Sequence, residues 1–438
     1  MGLMKEIIKT ILYDWQVRKL PAELLPRATN LEPYLDLKPR KIITLTGFRR
    51  SGKTYLGLYL IKNLLENFNR QEVIYINFED ERIPLQTEFL TNLLPIIKET
   101  FAKPPKILFL DEVQNMPQWS KWLRRAYDEN EDILFFVTGS SSKMSSQEIP
   151  TELRGRCLEI KVFPLSFSEF LQFQNIKINL DAVQYSPEQK AGLLRALQEY
   201  LRYGALPEVV LSDESKKAEI IQQYYQTVIQ RDIVERFKVK NQEGLKALLR
   251  LLLNSTAYSF NKLYNTLKSL DYRIGKTTLL HYISYIETSY FLESLPIFSY
   301  KIKEQLQYSR KVYFIDNGFI SGLSTKFSQN TGRLAENLVL VELKRRAHSQ
   351  TDIFYWRDDG NHEVDFVVKQ NLKIEQLIQV CWDISDSDTR KREIRPLLKA
   401  GKELKCDDLL VITGDYQAKE KFGGQSIKFI PLWQWLLM

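Results

Sequence analysis

The sequence predicts an α/β protein whose first part is a parallel sheet covered by helices on both faces. Three observations point to it. Short, almost wholly apolar runs recur at 41–46, 73–78, 107–110, 133–138 and 157–163, as strands buried on both faces require. Between them, 55–65 and 87–101 carry the apolar spacing of amphipathic helices. A glycine-containing loop joins the first run to the first helix, and prolines at 104, 105 and 117 fall at loop positions.

Composition sets the outer bounds. The chain has 438 residues, enough for roughly three domains at ~150 residues each. With 44% hydrophobic and 26% charged residues it has an ordinary globular make-up, which excludes disorder, collagen-like repeats and a disulfide scaffold. Three scattered cysteines, Cys157, Cys381 and Cys406, point to a reducing compartment. Without CxxC or HxxxH spacing, no structural zinc site is expected. No apolar run reaches the ~18 to 20 residues of a membrane span. The first residues, MGLMKEII, lack a signal-peptide pattern, and Glu6 breaks the myristoylation pattern. A cytoplasmic protein with no membrane partner is expected. The net charge of +8 is a mild pull toward nucleic acid.

After Pro164 the pattern turns helical, through 166–173, 189–204 and a long helix over 215–238. Residues 242–300 hold three short helices followed by FLESLPIFSYKI, which is expected as a β-wing. From about Thr331 a helix leads into YWR, EVDFVVK and LIQVC as strands, and a helix over 389–402 and the strand LLVIT close the chain. The expected division is an α/β core over 1–165, a helical lid and linker over 166–240, a winged helix-turn-helix over 241–312 and a further α/β domain over 313–438.

The chemistry begins with Gly47-Phe48-Arg49-Arg50-Ser51-Gly52-Lys53-Thr54, which fits G-x-x-x-x-G-K-[ST] between a strand and a helix. Backbone N–H groups of this loop, through Tyr55, can cradle phosphates at a helix N-terminus. Lys53 then neutralises the β- and γ-phosphates of ATP, and the Thr54 hydroxyl holds Mg²⁺. Fifty-eight residues beyond Lys53, an apolar strand ends in Asp111-Glu112. Asp111 suits the metal shell and Glu112 suits water activation. Strand 133–138 ends in Thr138-Gly-Ser140, and Ser140 is the favoured γ-phosphate sensor. Arg156 first, and Arg154 second, are candidates to reach a neighbouring subunit's γ-phosphate.

GFRRSGKT, FLDEVQNMPQW, TGSSS, LRGR and PLSFSEF resemble the bacterial and archaeal AAA+ ATPases related to the origin-recognition and STAND groups. YGALPEVV, TVIQRDIVERF and KVYFIDNGF extend the likeness through a C-terminal domain family of unknown function. The resemblance implies a homo-oligomer, in a ring or filament such as a hexamer, that couples ATP to DNA or a protein partner. It also leaves open a signalling or defence switch with little turnover, or an ATPase-governed nuclease.

Within 240–311, eleven basic residues face five acidic ones, so most of the net charge sits in about a sixth of the chain. Arg273, Lys276 and Thr277 begin the third helix there, where a recognition helix would meet DNA. His281, on the same helix, is expected to pack. Finally, Glu336 on a helix, Asp365 at the end of a hairpin-like run and Gln379 on the next strand resemble a PD-(D/E)xK nuclease core. Gln379 and Cys381 stand where that core has Glu and Lys, so a degenerate restriction-endonuclease-like domain is expected.

Overall fold

The five apolar runs pair as one parallel sheet. In a computed structural model, which describes residues 2–139, 151–183, 185–324 and 330–438, they are β1 (Ile42–Thr46), β2 (Val73–Asn77), β3 (Ile107–Asp111), β4 (Leu134–Thr138) and β5 (Cys157–Lys161). Their order is β2-β3-β4-β1-β5. Successive residues face opposite sides. Leu108 and Leu110 join Ile74, Ile76, Phe135 and Val137 on one face, under α1 (Gly2–Val17), α3 (Thr87–Phe101) and α4 (Trp119–Glu129). Phe109, Tyr75 and Phe136 meet α2 (Lys53–Leu64) on the other, with the Phe109 and Phe136 rings stacked at 4.6 Å. The sequence pattern did not reveal α1 or α4. In α4, WSKWLRRAYDE, only Trp122, Leu123 and Ala126 are buried.

This sheet belongs to the first of two units, Met1–Phe163 with Thr288–Tyr290; the second is Pro164–Glu287 with Phe291–Met438. The second unit opens with α5 (Phe167–Phe173), α6 (Leu180–Val183), α7 (Pro187–Tyr203), α8 (Pro207–Leu211) and α9 (Glu214–Thr227), which continues as a π-helical stretch, Val228–Glu235. Next come α10 (Gln242–Leu253), β6 (Ala257–Tyr258), α11 (Phe260–Ser269), α12 (Lys276–Thr288) and β7 (Leu292–Leu295). The expected wing holds a short helix, α13 (Ile302–Gln307), before β8 (Arg310–Phe314), and the antiparallel sheet runs β6-β8-β7. β8 therefore crosses the 312/313 division drawn from the sequence.

The remainder is α14 (Asn317–Leu323), α15 (Thr331–Arg346), β9 (Thr351–Arg357), β10 (Glu363–Gln370), β11 (Lys373–Cys381), α16 (Ser387–Glu403), β12 (Leu409–Thr413), β13 (Ala418–Phe422), β14 (Gln425–Pro431) and α17 (Leu432–Leu437). These strands form a mixed sheet ordered β13-β14-β12-β11-β10-β9. The last hairpin and α17 lie beyond LLVIT, which the sequence pattern took as the final element. β13, AKEKF, has no fully buried residue and so no apolar signal.

One buried carboxylate organises the helices of this unit. Asp316 caps α14, accepting from the Gly318 amide at 2.8 Å and from the Ala205 amide at 2.6 Å. Burial pushes its carboxyl up to about 6, against the pull of those two amides. YGALPEVV and YFIDNGF are thus two sides of one contact. Gly204 (φ 77°) has no room beside it, since a Cβ there would lie 1.7 Å from Asp316 Oδ1. Gly204→Ala is expected to destabilise the chain by about 2 kcal/mol or more. Gly192, inside α7 with open space around it, should gain about 0.5–1 kcal/mol as Ala. Urea unfolding of the two variants checks both signs.

Candidate nucleotide site

The loop after β1 closes tightly on the sheet. A Cβ on Gly47 (φ 134°) would meet the Val162 carbonyl oxygen at 2.3 Å, so this position requires glycine. Gly52 (φ 94°) then turns the chain into α2. Lys53 is buried, and its Nζ donates to the Gly47 and Phe48 carbonyls at 3.1 and 3.0 Å. The Ser51 Oγ is buried with no hydrogen-bond partner among the described residues. Phe48 packs in the core, while Arg50 and Tyr55 are exposed. Arg49 meets Glu79 at 3.4 Å.

β3 delivers the acidic pair beside this loop. Thr54 Oγ1 donates to Asp111 Oδ2 at 2.9 Å, and Tyr75 Oη donates to the same oxygen at 2.7 Å. Thr138 Oγ1 donates to Asp111 Oδ1 and accepts from the Glu112 amide at 3.0 Å. Among the described residues no Lys or Arg forms an ion pair with Asp111, which is 2% exposed. Burial pushes its carboxyl above the usual range, opposed by the Thr138 hydroxyl and reinforced by Glu112. Glu112 sits at φ 54°, a left-handed conformation that costs a non-glycine residue of order 1 kcal/mol. Its carboxylate accepts from Gln114 Nε2. The hard oxygen donors of Thr54 and Asp111 fit Mg²⁺, and the loop amides with Lys53 fit a polyphosphate.

Tyr75 and Thr138 carry roles that strand pairing supplies and motif spacing does not. Ser140, the favoured sensor, lies outside the described residues; Thr138 is the strand-end hydroxyl that meets the acidic pair. Arg27, in the segment before β1, was also missed. It donates to the Ser51 and Phe163 carbonyls, both at 2.9 Å. Arg156 forms a double hydrogen bond with Asp128, at 2.9 and 3.1 Å. Its neighbour Cys157 pairs with Ile42, at the start of β1, so Arg156 lies at the end of the strands opposite to its own Lys53, which follows the end of β1. Arg154 is exposed nearby.

In the second unit, Arg273, Lys276 and Thr277 are exposed around the start of α12. His281 is exposed there too, 6.1 Å from the Tyr285 ring, rather than packed. Glu336 and Asp365 do come together, but around Lys311. Lys311 Nζ lies 2.8 Å from Glu336, 2.7 Å from Glu363 and 2.7 Å from Asp365. Lys311 therefore leaves the surface charge of 240–311, because charge counting is blind to burial. Asp365 lies near the start of β10, not at its end. Gln379 faces away from cation duty, accepting from the Asp365 amide at 3.2 Å and donating to Glu393 at 2.6 Å.

Comparison with known proteins agrees with this geometry. Residues 39–171 match the AAA domain. Residues 194–330 and 331–435 match two domains of unknown function, DUF8612 and DUF4143. The parallel sheet and phosphate loop of the first unit are thus of the AAA, P-loop kind. The uncharacterized protein MJ1544 of Methanocaldococcus jannaschii is 38% identical over 421 residues, covering 94% of this chain and 91% of that one. An uncharacterized protein of Haemophilus influenzae is 28% identical over 419 residues, covering 94% and 98%. The chain belongs to the family of the M. jannaschii protein. Among solved structures, a Walker-type ATPase of Pyrococcus abyssi has a TM-score of 0.46 at 13% identity, covering 69% of this chain and 99% of that one. The Aeropyrum pernix ORC1 protein in complex with DNA has a TM-score of 0.31 at 12% identity, covering 78% and 93%. No helix among the described residues is long and apolar enough to cross a membrane.

Thr138→Val keeps the shape and removes the hydroxyl that bridges Asp111 and Glu112. Losing a hydrogen bond to a charged group costs about 1.5–3 kcal/mol, which corresponds to roughly a 10- to 100-fold fall in phosphate release. Unchanged turnover at saturating ATP would reduce Thr138 to a packing residue.

Proposed function

We propose that the chain hydrolyses ATP with Mg²⁺, works as a homo-oligomer and couples its nucleotide state to DNA. The observation that carries the hydrolytic reading is the Asp111–Glu112 pair tied to Thr54 and Thr138. Thr54 and Asp111 would hold the metal, which supplies charge neutralisation across the phosphates. Lys53 and the loop amides orient the β- and γ-phosphates. Glu112, fixed through its own amide, takes the proton of the attacking water. A cavity of about 250 Å³ lined by Pro26, Arg27, Leu31, Leu56, Tyr59 and Leu60 suits the nucleoside, since Arg27 also bonds the phosphate loop. Arg156, far from its own loop, is the candidate to act across a subunit contact, with Arg154 as its alternative.

Steady-state phosphate release tests this directly. Glu112→Gln should retain ATP and lose at least about 100-fold in turnover, whereas Lys53→Ala should lose ATP binding. Wild-type release no higher than that of Glu112→Gln would leave a nucleotide-gated switch instead.

For the second unit we propose the division into helical lid, winged helix-turn-helix and a degenerate nuclease-like tail used for binding or assembly. Support for the winged helix is the element order α10-β6-α11-α12-β7-β8 with sheet order β6-β8-β7. Exposed Arg273, Lys276 and Thr277 at the start of α12 favour DNA over a protein partner. Arg273→Glu with Lys276→Glu should weaken binding at all sequences and flatten the salt dependence by about two log units per log unit of salt. Fluorescence anisotropy across a salt series checks this, and absence of DNA binding at low salt would remove DNA as the partner.

A further inference from the structure

Lys311 occupies the centre of an acidic cluster in the second unit, reached from β8. An ammonium has three N–H donors, and Nζ here meets three carboxylates, Glu336, Glu363 and Asp365, within 2.7–2.8 Å. Each donor therefore has a partner. The acceptors are held in turn: Tyr313 Oη donates to Glu336 Oε1 at 2.7 Å, and the Val380 amide donates to Asp365 Oδ2 at 2.8 Å. Lys311 is 5% exposed, and its backbone is paired on both sides, with Ala257 on β6 and Leu295 on β7. The cation is thus built into a sheet and cannot swing out without loosening it.

We propose that the Lys311 ammonium replaces the divalent metal of a nuclease-like site, so that the native tail neither binds that metal nor cuts DNA. The inference rests on reading the tail as nuclease-like and not on ATP hydrolysis. A divalent metal needs the same carboxylate oxygens at about 2.0–2.6 Å, and the ammonium already lies within hydrogen-bond distance of all three groups. A second cation beside this buried ammonium would meet its repulsion. Gln379 is committed to the Asp365 amide and Glu393, and Cys381 Sγ donates to the Asp383 carbonyl at 3.2 Å, so neither supplies a missing ligand. Lys311 keeps its proton: burial opposes it, but Asp365 and Glu336 hold it well above the usual lysine range.

Mn²⁺ titration of the nucleotide-free full chain, followed by electron paramagnetic resonance, tests the proposal. Wild type and Asp365→Asn should bind Mn²⁺ alike. Lys311→Ala should gain one ion per chain, lost again when Asp365→Asn is added. An ion bound by wild type and lost in Asp365→Asn would overturn the proposal. So would Mn²⁺-dependent plasmid cleavage that Asp365→Asn abolishes, or a folded Lys311→Ala that gains no ion. If Lys311→Ala fails to fold, the wild-type and Asp365→Asn comparison still decides. Without nucleotide present, no outcome bears on ATP hydrolysis.

Discussion

The first unit depends on satisfying the buried Asp111 carboxylate. A buried, unpaired carboxylate costs several kcal/mol, and among the described residues three hydroxyls, not a cationic side chain, meet it. They come from three different places. Tyr75 lies on β2, Thr138 on β4, and Thr54 at the start of α2. Since β2 and β4 flank β3, the strand order itself delivers two of the three donors. β4 also pairs with β1, Leu45 opposite Thr138, which fixes where the loop after β1 emerges. The sheet core, with Phe109 against Phe136, is therefore the rigid base on which the polar end is built. Loosening the ladder would disturb the site before any loop residue changed.

The second unit meets the same problem of buried charge in two other ways. Asp316 is satisfied by backbone amides from two segments more than a hundred residues apart in sequence from each other. Lys311 is satisfied by carboxylates from α15 and β10. Truncating one partner in either arrangement leaves a buried polar group unmatched, the costly case. The three solutions differ in reversibility. Hydroxyls around Asp111 can turn toward another donor or acceptor at little cost. Amides and a sheet-anchored lysine cannot. That difference suits a site that exchanges ligands in the first unit and fixed architecture in the second.

Legibility in the sequence follows the same physics. Strands buried on both faces leave apolar runs, so β1 to β5 were visible, and the phosphate loop was visible because its glycines and lysine are close in sequence. Tyr75 and Thr138 were not, because their roles arise from lateral pairing between strands. β8 hid inside KVYFIDNGF, whose apolar residues serve a short central strand and then a helix cap. β13 has no fully buried residue to mark a strand, whereas α4 carries a helical spacing on Trp119, Trp122, Leu123 and Ala126 within a mostly polar segment. Lys311 was misplaced among surface charges, and His281 among packed residues, since composition and helix position say nothing about which side chain the next domain covers.

The strings that make the chain recognisable therefore divide into two kinds. GFRRSGKT and LDE gather the polar groups of the candidate site, where Lys53 meets the loop carbonyls and Thr54 meets Asp111. PLSFSEF, YGALPEVV and YFIDNGF carry architecture. Ser166 and Glu169 cap α5 reciprocally, the Leu165 amide donates to the Ala205 carbonyl at 2.8 Å, and Tyr200 Oη donates to the Leu165 carbonyl at 2.7 Å. Arg345 reaches the Pro164 carbonyl at 2.8 Å, and Asn337 holds both the amide and the carbonyl of Phe314. Three motifs from distant parts of the sequence thus close on one another around Asp316. Most of their side chains are buried in that closure, with Ser168 and Glu208 left exposed. Recognising them identifies how the second unit is built, because the same contacts that make the strings alike also hold the helices together.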